Sequence, residues 1–67
     1  MSQTNLEKAQ IILRTVVDYT IKQDTETCKR LLEDASFLTK GMNFKDREKI
    51  IPEIVDKRLK IYEITGT

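Results

Sequence analysis

Three observations predict an all-α fold, a small three-helix bundle. Glycine and proline are scarce, two and one in 67 residues, which disfavours turn-rich β architectures. Apolar residues recur at three- and four-residue spacing along three stretches. Each stretch is introduced by a residue suited to capping a helix. The predicted helices cover residues 5–22, 25–39 and 44–63 of a single helical domain spanning 1–67, and the short loops suit antiparallel neighbours.

The first helix opens on Thr4-x-x-Glu7, a capping box. Its apolar arc is wide, about 200°, from Leu6 and Ala9 through Leu13, Val16 and Val17 to Ile21. Ile11 falls outside even that arc. In the second helix Asp24 and Thr25 can cap, and Cys28, Leu31, Leu32, Ala35 and Leu38 share an arc of about 120°. Phe37 is out of phase with them and suggests a chain already turning inward. Gly41 suits the left-handed position just past a helix end.

Asn43 can cap the third helix, with Asp46 and Glu48 in the first turns, where negative charge is favourable. This helix carries two apolar stripes. Phe44, Ile51, Val55, Leu59 and Tyr62 form one. Ile50, Ile54 and Ile61 form the other, with Arg47 and Arg58 between the two. Pro52 lies inside, where it removes a backbone donor and crowds the preceding turn. The stripes pass it in phase, which predicts one helix kinked at Pro52. The alternative is a split, with a short helix over 44–50 and a new one starting at Pro52, where proline is well accommodated.

One stripe per helix fills the core of so small a bundle. The expected core comprises Leu13 and Val16, Leu31, Leu32 and Ala35, and Val55 and Leu59. The surplus apolar positions are then candidates for a contact with another protein: Ile11, Ile12, Ile50, Ile54 and Ile61, flanked by Arg47 and Arg58.

Composition removes most alternatives. There is no histidine, so imidazole base catalysis and serine–histidine or cysteine–histidine nucleophiles are impossible. One cysteine and no histidine make no zinc site, and no phosphate-cradling glycine loop is present. No enzyme, cofactor or metal is expected. The carboxylates Glu53 and Asp56 lie one turn before Lys57 and Lys60, the favourable order for solvated ion pairs rather than for catalysis. Cys28 lies on the apolar stripe of its helix and is read as a packing residue.

Twelve Lys and Arg against eleven Asp and Glu leave a net charge of +1. Residues 1–34 carry five basic and six acidic groups, and residues 35–67 carry seven and five. A nucleic-acid binder normally shows a larger basic excess. The polar N-terminus has no basic run leading into an apolar one, and the longest aliphatic run is Ile11-Ile12-Leu13. With the lone cysteine, these features predict a cytoplasmic chain with no membrane span. The functional expectation is a small non-enzymatic interaction module, a regulator or inhibitor that docks on a protein partner or forms a homodimer. The alternative is a nucleic-acid-binding regulator using the basic residues after position 39.

Overall fold

Side-chain caps start each helix at the residue the sequence marks. Thr4 Oγ1 accepts the Glu7 N–H at 3.1 Å while Glu7 Oε1 accepts the Thr4 N–H at 3.3 Å, completing the capping box. Asp24 Oδ1 accepts the Thr27 N–H at 3.3 Å. Asn43 Oδ1 accepts the Asp46 N–H at 2.9 Å. Each cap satisfies a backbone donor that the helix itself leaves open, and contributes about 1 kcal/mol. The computed structural model describes residues 3–66. The caps open α1 (Asn5–Ile21), α2 (Thr25–Leu38) and α3 (Phe44–Thr65), and a 3-10 turn over Thr39–Gly41 joins α2 to α3. The three helices pack against one another, and no strand occurs among the described residues.

The helix ends depart from the sequence reading in an instructive way. Gly41, expected in the left-handed region, is not there. The left-handed residues among those described are Gln23 (φ 60°) and Gly66 (φ 75°). Gly41 closes the 3-10 turn instead, and its missing side chain leaves room for the Asn5 amide, which a Cβ at this position would strike. That amide reaches the Leu38 carbonyl at the end of α2, 3.5 Å away. At the end of α1, the Asp24 N–H bonds to the Tyr19 carbonyl at 2.9 Å and the Gln23 N–H to the Thr20 carbonyl at 3.0 Å. This is a Schellman motif with glutamine in the position glycine usually takes. Gly66 caps α3, its N–H 2.7 Å from the Tyr62 carbonyl, and the last helical residue, Thr65, lies two residues beyond the expected end at 63.

Pro52 sits inside one helix that runs from Phe44 to Thr65, so the split into two helices does not occur. The proline is exposed and lies about 180° round the helix from the Ile50–Ile54–Ile61 meridian. The hydrogen bond it deletes would have ended on the Glu48 carbonyl, and Glu48 is also exposed, so water can take the freed acceptor.

The core is a thin seam. The Cα atoms span 35 × 22 × 14 Å, the long dimension set by α3. Ala9, Leu13 and Val16 of α1 meet Cys28, Leu32 and Ala35 of α2, with Met42 from the connection closing one end. From α3 come Ile50, Ile54 and Ile61. Leu31 is half-buried against this cluster. Val55 and Leu59, expected in the core, are 48% and 56% exposed. Of the two stripes on α3, the structure buries the isoleucines and leaves the other outside.

The reason is visible in the angular order of the residues. Glu48 projects between Val55 and Leu59, within the arc of the Phe44 stripe. Burying that stripe would take a carboxylate and the proline-freed carbonyl out of water with no partner. The arc of Ile50, Ile54 and Ile61 holds no charged residue at its centre; half-buried Lys57 and Asp46 stand beyond one edge, and Arg47 and Arg58 beyond the other, where both find hydrogen-bond acceptors.

Candidate protein-docking face

The fold turns the two arginines of α3 inward along the surface. Arg47 Nε and Nη2 donate to the Thr39 and Lys40 carbonyls at 3.0 and 3.2 Å, satisfying acceptors at the end of α2. Positive charge is favourable at such a helix end. Arg58 Nη2 donates to Ser36 Oγ at 2.8 Å. Arg47 therefore ties α3 to the 3-10 turn that follows α2, and Arg58 ties it to α2 itself, rather than either standing free beside a contact patch.

The other expected contact residues are dispersed. Ile50, Ile54 and Ile61 are buried and form no exposed patch. Ile12 is half-buried against the core, and Ile11 stays exposed on the outer side of α1. The structure does not bring these seven residues together on one surface.

An exposed apolar face exists elsewhere. Phe44 is 72% exposed, and Ile51, Val55, Leu59 and Tyr62 are each exposed as well. At 100° per residue the five fall within an arc of about 80°. They run from the first residue of α3 almost to its last turn, about 27 Å along the axis. Phe44 and Val55 are eleven residues apart, as are Ile51 and Tyr62. An eleven-residue repeat keeps a stripe nearly straight on an α-helix. A straight apolar stripe on an exposed helix is suited to a second helix laid alongside it.

Two grooves flank α3. One, of about 570 Å³, lies against α1 over Leu13, Val17 and Pro52, with Arg14, Glu53 and Asp56 among its rim residues. The smaller, of about 230 Å³, lies against α2 and includes Leu32, Ile61 and Tyr62. Both are shallow and open, and their rims mix charges of either sign. Phe37, expected to turn inward, is exposed on α2 with the Lys40 ammonium 5.2 Å from its ring centre.

Cys28 is fully buried, its Sγ 3.5 Å from Thr20 Oγ1 and 3.6 Å from the Val16 carbonyl. Among the described residues no three His, Cys, Asp or Glu side chains gather as metal ligands. Of the two ion pairs expected on α3, Asp56–Lys60 forms at 3.5 Å between exposed groups. No helix among the described residues is long and apolar enough to cross a membrane. No protein-family model matches the chain, and comparison with curated proteins and with solved structures gives no significant match.

The signal that separates the two stripes was available in the sequence as the position of Glu48. Counting apolar residues favoured the longer Phe44 stripe for the core; asking which arc contains a charge favours the isoleucines.

Proposed function

We propose that the protein is a non-enzymatic interaction module that makes its contact through the Phe44–Tyr62 face of α3. One observation carries the reading. The intrachain core is completed by Ile50, Ile54 and Ile61, yet five large apolar side chains remain aligned on the neighbouring face of the same helix. Together they present on the order of 500 Å² of surface, the range in which patches on small proteins mark contact sites. The absence of histidine and the solvated setting of the carboxylates argue against catalysis at this face. A regulatory or inhibitory role in the cytoplasm, exerted by occupying a protein surface, is the form of activity this arrangement suits.

Nucleic-acid binding through the basic residues after position 39 has less support. Arg47 is engaged with the 3-10 turn and Arg58 with α2, and Lys60 pairs with Asp56. Loss of retention on heparin at low salt would agree with the protein-contact reading, and steeply salt-dependent binding to DNA or RNA would contradict it. The direct test is the double substitution Val55→Asp with Leu59→Asp. It is expected to abolish the native chain's protein contacts while helix content by circular dichroism stays unchanged. Contacts that survive the double substitution would overturn the reading.

A further inference from the structure

We draw no further inference here: the strongest candidate, the exposed apolar face of α3 from Phe44 to Tyr62, belongs to the docking surface already described, and nothing in the structure shows what covers it.

Discussion

The two faces of α3 are made of similar residues and do opposite things. On one, Ile50 is fully buried and Ile54 is 4% exposed. On the other, about 110° round the helix, Val55 and Leu59 stand in solvent together with Phe44. Total apolarity does not separate them; the exposed face is the longer and more aromatic of the two. What separates them is what lies between the apolar residues. The exposed arc contains Glu48 and abuts Pro52, whereas the buried arc has nothing charged at its centre. A thin bundle has one interior seam, and the stripe that can leave water without stranding a charge takes it.

Truncating the buried face gives the largest expected effect. Ile50→Ala and Ile61→Ala should each destabilise by about 2–5 kcal/mol, a large part of the stability of a domain this small. Leu59→Ala and Ile51→Ala should each shift monomer stability by no more than about 0.5 kcal/mol. Urea unfolding at low protein concentration, where no dimer contributes, measures both sets. Equal losses on the two faces would mean that both stripes are packed inside the monomer.

Cys28→Ala probes the seam from the opposite side. With its Sγ fully buried against Val16 and Thr20, it should lose about 1 kcal/mol in the same assay and leave self-association unchanged. A change in association without a change in stability would assign Cys28 to the contact instead of the core. A smaller effect of opposite sign is expected at the turn before α2. Gln23 holds φ at 60°, a conformation glycine adopts at no steric penalty. Gln23→Gly should therefore raise the melting temperature by a few degrees, about 0.5–1 kcal/mol, and a lowered melting temperature would count against the left-handed turn.

These outcomes also measure how much the chain discloses unaided. The three helix starts were legible because Thr4, Asp24 and Asn43 are short polar side chains followed by periodic apolar residues, a local rule that tertiary packing does not override. The core face of α2 was legible because its stripe is narrow and single. The end of α2 was not: Gly41 was read by its freedom of φ, whereas its use is to make room for Asn5, a contact between residues 36 apart in the chain. Met42 was overlooked as core because it sits in a connection, outside any periodic stretch. The contact residues were misplaced for a related reason. Two stripes on one helix are degenerate under periodicity, and the reach of Arg47 and Arg58 to Thr39, Lys40 and Ser36 is a tertiary contact that no local pattern signals.

The adjacent pair Ile54 and Val55 gives the most direct test of which face of α3 is the core. Circular dichroism of Ile54→Asp and Val55→Asp at low micromolar concentration compares one charge placed on either side of the same turn. Ile54→Asp is expected to lose most of its helical signal, because an unpaired carboxylate would enter the seam beside Ile50 and Ile61. Val55→Asp is expected to keep wild-type helix content and a wild-type melting temperature within a few degrees. A helical Ile54→Asp chain beside an unfolded Val55→Asp chain would reverse the assignment and contradict the account.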